Sequence, residues 1–338
     1  MLAAVRTQYG GPEAVSFDEV PDPTPGPGEM VVRVHATTVN RTDCAYRSGR
    51  PWINRAVCGW PRPRVPILGS EYAGVVVSVA DDVVPYEEGD RVFGFVDGRA
   101  GAHAELLAVR VNGLVAAVAQ GWDLADAAPG MEGAHYAHAF LRVSGIRPGD
   151  CALVHGATGG IGTALVQLLN AAGVEVTAVC DRRPADHPAL LEDLGAARVV
   201  ELATSHGLDE VGTGFDAVFD ATGHTSFGAT RRLIRPGGSF ASTELGRGGQ
   251  NIFLAAGAPV ARAVGRRHVR FPLPHADATL AGQLRDLMAR GAYRPVVDRT
   301  YDFKQIREAY AYVDSGRKVG NVVIVMPAAP KRVDLRRD

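Results

Sequence analysis

The stretch CALVHGATGGIGTALVQLLN, residues 151–170, decides how this chain is read. Its first five residues, CALVH, form an apolar run of strand length. They feed straight into GATGGIG (Gly156, Ala157, Thr158, Gly159, Gly160, Ile161 and Gly162), and then into a segment whose Ala, Leu and Val recur at helical spacing. A glycine-rich loop between a strand and a helix turns sharply and lets a pyrophosphate approach the free amides of the helix N-terminus. Gly159 and Gly162 stand at the spacing of the second and third glycines of the dinucleotide fingerprint, with Ala157 in place of the first. Such a pattern alone is weak, because many glycine-rich loops are only turns. Here the context is complete: a strand before, a helix after, and a second strand, VEVTAVC, that ends in Asp181 nineteen residues past Gly162.

Arg182 and Arg183 follow Asp181 at once. A carboxylate at this strand end accepts hydrogen bonds from the adenine ribose and favours NAD. A guanidinium forks onto a 2′-phosphate and favours NADP. Local chemistry leaves both open.

Downstream, VEVTAVC, HPALLEDLGA, RVVEL, DAVFDAT, SFGATRRLIRPGG and SFAST continue the alternation of strand and helix, the mark of a parallel sheet wrapped by helices. Upstream, MVVRVHATTV, YAGVVVSVA and DRVFGFV are β-branched runs bounded by turn signals, and PDPTPGPGE (21–29) reads as a connecting loop. The last strand–helix–strand piece has the texture of the first third. The sequence therefore predicts an α/β chain in which a doubly wound parallel-sheet domain (122–271) is inserted between two parts of a β domain (1–121 and 272–338), with a mobile tail from about 328.

The 338 residues suffice for two such domains, and 40 glycines with 7% aromatics suit a turn-rich enzyme. A formal net charge of −1, with Lys and Arg scattered, leaves no footprint for nucleic acid or an anionic membrane. No apolar run is long enough to span a bilayer, and the start has no basic leader with an apolar stretch behind it. Cys44, Cys58, Cys151 and Cys180 are widely spaced, which argues against a disulfide framework or a structural zinc lobe. A cytoplasmic protein is expected, with a small molecule as its partner.

Taken together, VNRTDCAYRSG, PILGSEYAGVVVSV, GDRVFG, HGATGGIGTALVQL, LGAARVVE, FDAVFDATG, LIRPGGSF, PVVDRTYDF and GRKVGNVVIV resemble the medium-chain dehydrogenase/reductase superfamily, and within it the zinc-free quinone oxidoreductase-like branch. The segments cover both domains in the family's order. The resemblance implies a GroES-like β domain, an inserted Rossmann domain, a nicotinamide cleft between them, and a homodimer through the Rossmann sheet edge. Zinc members carry Cys at the position of Asn40 and Gly-His-Glu where this chain has Gly69-Ser70-Glu71. Neither Asn nor Ser is a useful Zn²⁺ ligand, and Glu71 alone cannot hold the ion, so no metal is expected.

Zinc-free relatives reduce quinones or the C=C bond of α,β-unsaturated carbonyls, with the cofactor carrying the hydride and the protein holding the developing anion. By resemblance, Asn40 lies beside the nicotinamide, Asp43 near the substrate cleft, and Tyr46 within reach of a quinone oxygen. In MEGAHYAHAF, His135 and Tyr136 fill positions where many relatives have small residues, and are candidates for proton donor and orienting hydroxyl. Each also has a structural reading: Asn40 as a turn residue, Asp43 as a helix cap, Tyr46 and His135 as packing side chains. Ala221, Thr222 and Gly223 are expected at the cofactor, Ser242 and Thr243 near the nicotinamide ribose, and Asn321 across the cleft. The related subfamily ends its second strand in C-S-T-R, with Arg183 on the arginine, so the resemblance leans towards NADPH while Asp181 leans towards NADH. Metal-free alcohol oxidation, a redox-neutral step in secondary metabolism, and non-catalytic dinucleotide binding are the rival readings.

Overall fold

The computed structural model describes residues 1–96, 100–181, 187–202, 208–242, 250–263, 265–273 and 278–327. Arg182, Arg183, Thr243 and the tail from 328 lie outside the described residues.

The chain opens with a short antiparallel pair, β1 (Leu2–Arg6) and β2 (Val15–Glu19). Next come β3 (Glu29–Val39), β4 (Glu71–Val79), β5 (Arg91–Phe95), β6 (Leu106–Arg110) and β7 (Leu114–Ala117). The parallel-sheet strands follow: β8 (Cys151–His155), β9 (Glu175–Asp181), β10 (Arg198–Leu202), β11 (Phe215–Asp220), β12 (Ile234–Ser242) and β13 (His268–Arg270). The chain closes with β14 (Val297–Asp302) and β15 (Asn321–Val325).

One sheet has seven strands in the order β14-β15-β3-β4-β5-β7, with β6 also pairing β3. It thus draws strands from both ends of the sequence. The other has six parallel strands in the order β10-β9-β8-β11-β12-β13. Strands buried on both faces read as continuous apolar runs, and Ala152, Leu153, Val154, Val218 and Phe219 are all fully buried. The chain enters this sheet at β8, winds outward to β10, and returns to β11 on the other side. The carboxyl ends of β8 and β11 therefore flank the switch point where ligands bind in such sheets.

The segment SFGATRRLIRPGG is less helical than its composition predicts. Its helix ends at Thr230, and β12 begins at Ile234, pairing with Phe215 before a register shift. Pro236 falls within that shift, on the exposed part of the strand, where its missing N–H breaks no required ladder bond.

The two sheets meet at the glycine loop. Gly320, just before β15, donates its N–H to the carbonyl of Thr158 at 2.7 Å and forms an isolated parallel bridge with Gly159. Gly320 takes φ +65°, and a Cβ there would lie 2.2 Å from the carbonyl oxygen of Val296. Only glycine allows this approach. The dinucleotide turn is thus fixed to the β-rich lobe as well as to its own sheet.

Candidate functional site

The loop after β8 is built by steric exclusion. Gly156 has φ +79°, and a Cβ on it would meet Thr222 Cγ2 at 2.3 Å. A Cβ on Gly162 would lie 2.1 Å from the Gly156 carbonyl oxygen, and one on Gly160 would lie 2.7 Å from Asn321 Oδ1. Gly159 is the N-cap of helix Gly160–Ala171, so the first amides of that helix are directed at the loop. Ala157 is buried, and its N–H, like that of Gly156, donates to the Val179 carbonyl at 3.0 Å. Thr158, Gly159, Gly160 and Ile161 are half-buried. Backbone donors at a helix N-terminus, with room for an anion, are what a pyrophosphate needs.

At the switch point the strand ends are tied by Asp220. Its Oδ1 accepts from Thr222 Oγ1 at 2.7 Å and from the Thr222 N–H at 3.1 Å, and lies 3.3 Å from His155 Nδ1. Its Oδ2 accepts from Ser242 Oγ at 3.2 Å. Burial pushes this carboxyl up, but the His155 and Thr222 hydrogen bonds outweigh it and hold Asp220 below its usual range. Ala221 donates its N–H to the His155 carbonyl at 3.0 Å, and Gly223 turns the chain with φ +71°. The expected cofactor residues 221–223 and Ser242 therefore stand on one ordered rim. Asp181 ends β9 exposed on the same edge.

The second part of the site is a group of buried carboxyls. Asn40 caps helix Arg41–Ser48, and its own N–H donates to Asp43 Oδ2 at 2.9 Å. The cap is thus Asn40, with Asp43 the reciprocal acid three residues on. Asn40 Nδ2 lies 2.9 Å from Thr38 Oγ1, 2.8 Å from Glu71 Oε2 and 2.6 Å from Glu132 Oε2. Glu71 Oε2 also accepts from Thr38 Oγ1 at 2.9 Å, and Oε1 accepts from the N–H groups of Met131 at 3.1 Å and Glu132 at 2.6 Å. Glu132 accepts from Thr42 Oγ1 at 2.6 Å and from Ser70 Oγ at 3.3 Å. Behind this group the buried His103 lies 2.8 Å from the Thr38 carbonyl, and burial pushes its pKa down to about 4, which keeps it neutral.

Burial, reinforced by the charge of Glu132, pushes Glu71 up to about 7. Asp43 is raised well above its usual range by burial, then by Glu132 and Glu71. Glu132 is raised by burial, against hydrogen bonds from Thr42 and Asn40. Burial lowers the nearby Lys318, whose ammonium donates to the Gly320 carbonyl. All three carboxyls are thus shifted towards the protonated form.

The remaining candidates divide. Tyr46 is half-buried against the core of the β-rich lobe. His135 is buried, its ring 5.6 Å from Phe95 and 5.5 Å from Tyr136, while Tyr136 is half-buried. Asn321 is buried and donates through Nδ2 to the Val296 carbonyl at 3.1 Å. Sequence reasoning missed Glu132, Thr42 and Lys318. The one available signal was Glu132 itself, a lone acid in the small, apolar run AAPGMEGA.

Residues 26–120 match the family described as alcohol dehydrogenase GroES-like domain, and residues 194–324 the family described as zinc-binding dehydrogenase. The chain belongs to the medium-chain dehydrogenase/reductase superfamily. It has the oxidoreductase architecture of that superfamily, with the GroES-like and Rossmann-like halves seen above. It is 32% identical over 315 residues to the spectinabilin polyketide synthase system protein NorB of Streptomyces orinoci, covering 90% of this chain and 13% of that one. The chain thus spans about an eighth of that synthase. A mycobacterial protein solved in complex with NADPH shares 26% identity, with a TM-score of 0.78 over 96% of this chain and all of that one. The quinone oxidoreductase of Coxiella burnetii has the same fold, with a TM-score of 0.82 at 21% identity over 97% of this chain and 99% of that one.

Zinc is the superfamily ion to test against these residues. At the positions of two ligands the chain presents an amide nitrogen, Asn40 Nδ2, and a hydroxyl, Ser70 Oγ, and both are directed at one oxygen, Glu132 Oε2. Glu71 is spent on four hydrogen bonds. The donor set does not fit a tetrahedral zinc.

Two outcomes are expected. Gly162→Ala, which drives a methyl into the Gly156 carbonyl, lowers NADPH affinity at least about tenfold in a fluorescence titration, since a misplaced loop loses several amide–phosphate bonds; unchanged affinity would remove the loop from the cofactor site. For Glu71 the folded chain holds a proton that the unfolded chain releases between its ordinary 4.5 and about 7. Its stabilising contribution is therefore present at acid pH and lost as pH rises through 7, at up to about 1.4 kcal/mol per pH unit for one proton. Urea unfolding at pH 5 and pH 8 should show a steeper loss for wild type than for Glu71→Gln; equal losses would mean that Glu71 titrates normally.

Proposed function

We propose that this chain is a zinc-independent reductase that uses NADPH or NADH to reduce a quinone or the C=C bond of an α,β-unsaturated carbonyl. The observation that carries the reading is the convergence of Asn40 and Ser70 on the Glu132 carboxyl, where zinc members have metal ligands. With no Lewis acid to polarise a simple ketone or alcohol, the acceptor must already be activated towards hydride. A quinone or a conjugated carbonyl meets that condition, because the incoming charge delocalises onto oxygen. The similarity to part of a polyketide synthase supports an acyl chain conjugated to its carbonyl.

When bound, the nicotinamide supplies the hydride. The glycine loop and the Asp220 rim hold the dinucleotide against the β8–β11 switch point. Tyr46 and Tyr136 are the hydroxyls assigned to the substrate oxygen. Glu71, pushed up to about 7, holds a proton beside the cleft near neutral pH, which suits the protonation that follows hydride transfer. Asn40 directs its amide hydrogens at protein acceptors, so it acts here by ordering the cleft rather than by donating to the substrate.

NADPH is the favoured cofactor. Arg183 supports it through the family pattern, and a relative binds it. We also propose, from the family resemblance, a homodimer through the edge of the parallel sheet at its outer strand β13.

Stopped-flow mixing with an enone or quinone should show nicotinamide absorbance falling in step with loss of the conjugated double bond, with no effect of a metal chelator. NADPH should have the lower KM. Activity that depends on added zinc would overturn the metal-independent reading, and a tenfold preference for NADH would assign the adenine end to Asp181. Light scattering in solution should return twice the 35.7 kDa chain mass; a monomer would dismiss the β13 edge as an interface.

A further inference from the structure

We infer that Glu132 is the positioning residue of this cleft, doing for Asn40, Ser70 and Thr42 what a bound metal does for its ligands. The inference deepens the proposed reductase reading and rests on it for its kinetic arm.

Three observations carry it. First, Glu132 is the first residue of helix Glu132–Ser144, which leads directly into β8 and the glycine loop, whereas Asn40, Thr42 and Ser70 flank β3 and β4 of the β-rich sheet. One carboxyl therefore joins the element that leads to the cofactor to the wall across the cleft. Gly133 beside it packs so closely on the loop that a Cβ there would lie 2.6 Å from the Gly160 carbonyl oxygen. A displacement of Glu132 is thus a displacement relative to the pyrophosphate turn.

Second, the contacts are convergent. Glu132 Oε2 receives Asn40 Nδ2 at 2.6 Å and Ser70 Oγ at 3.3 Å, while Oε1 receives Thr42 Oγ1 at 2.6 Å. Third, the Asn40 amide has two hydrogens and three acceptors within 2.9 Å, Thr38, Glu71 and Glu132. Glu132 offers the shortest of the three contacts and fixes which way the amide faces. Its backbone N–H in turn anchors Glu71 at 2.6 Å, so one residue orders both neighbours. Lys318 stands on the remaining side, and its Nζ is held by the Gly320 carbonyl next to the glycine loop.

A positioning role separates from a charge role by substitution. Glutamine keeps the length and one acceptor oxygen for Asn40 and Ser70, and the Thr42 hydroxyl can reverse to accept from its NH₂. Alanine removes every contact. We expect Glu132→Ala to lower kcat at least tenfold with KM for NADPH within twofold, because the glycine loop is intact, and Glu132→Gln to recover kcat to within about threefold of wild type. Thr42→Val, which removes one contact but keeps the Glu132 carboxyl group itself, should fall between them and serves if the alanine variant does not fold.

Equal losses in the Ala and Gln variants, or full kcat in Ala or in Val, would overturn the inference. A crystal structure of Glu132→Ala, or of Thr42→Val if alanine fails to fold, adds a readout that needs no turnover. We expect the Asn40 amide turned away from its Glu71 contact in the alanine variant, and the Glu132 carboxyl shifted from its wild-type position in the valine variant. An unmoved Asn40 in Ala, or an unmoved Glu132 in Val, would sink the positioning role. If wild type turns over no quinone or enone, the proposed reaction fails while the structural arm still decides Glu132.

Discussion

Three carboxyl groups, Asp43, Glu71 and Glu132, are buried together where the two lobes meet, and the organisation of the cleft follows from satisfying them. A buried carboxylate without partners is destabilising by several kcal/mol, and neighbouring carboxylates repel one another in a medium of low dielectric. The chain answers in two ways. It surrounds the oxygens with donors from Thr38, Asn40, Thr42, Ser70 and the Met131 and Glu132 amides. It also shifts all three groups towards the protonated form, Glu71 to about 7. Both answers require the lobes to stay in register, because the side-chain donors come from the β-rich lobe while Glu132 and its backbone neighbours lead into the other.

The glycine loop makes the same demand from the opposite side. Gly320 bonds Thr158, and Asn321 fills the space against Gly160. Two independent sets of contacts thus fix the dinucleotide turn to the β-rich sheet, one through polar side chains and one through backbone that only glycine permits. A cofactor laid along the β8–β11 switch point is clamped between them. This arrangement explains why the sheet that binds the dinucleotide lies inside the sequence of the other lobe: β14 and β15 must return beside β3 to deliver Gly320 and Asn321.

Much of this was legible in the sequence. Strand, glycine loop and helix at 151–170 announce themselves through spacing, and the β-branched runs with their Pro and Gly boundaries mark the other lobe. The rim residues 221–223 and Ser242 could be placed because each ends a strand of a parallel sheet, and such ends are where ligands bind. The carboxyl group was not legible in the same way. Periodicity states which face of an element is buried, but Asn40 and Glu132 are separated by 92 residues, and nothing local pairs them. By resemblance Asn40 belongs beside the nicotinamide, where an amide has hydrogens to give. Here a carboxyl from the other lobe has taken them. Asp43 was weighed as a helix cap, but an N-cap and the acid three residues later share one signature, and only the geometry assigns the cap to Asn40.

The same comparison explains how a site can lose a metal without losing its shape. A metal holds its ligands by strong, directional bonds from a single centre. Replacing two ligands by Asn and Ser would leave a buried polar hole unless some group filled it. A carboxyl oxygen at the start of a helix fills it well, because the positive end of that helix favours the charge, and two side chains can point at one atom. The arrangement puts a carboxyl where the metal of zinc members would stand, and the proposed metal-independent chemistry follows from it. Simple alcohols and ketones need polarisation from a cation, which this centre does not provide. Acceptors that stabilise their own negative charge need only alignment and, afterwards, a proton. The adenine end of the cofactor is a separate matter, and the proposed preference for NADPH sets Arg183 against Asp181 there. The proposed reaction class rests instead on the cleft, where Asn40 and Ser70 meet Glu132.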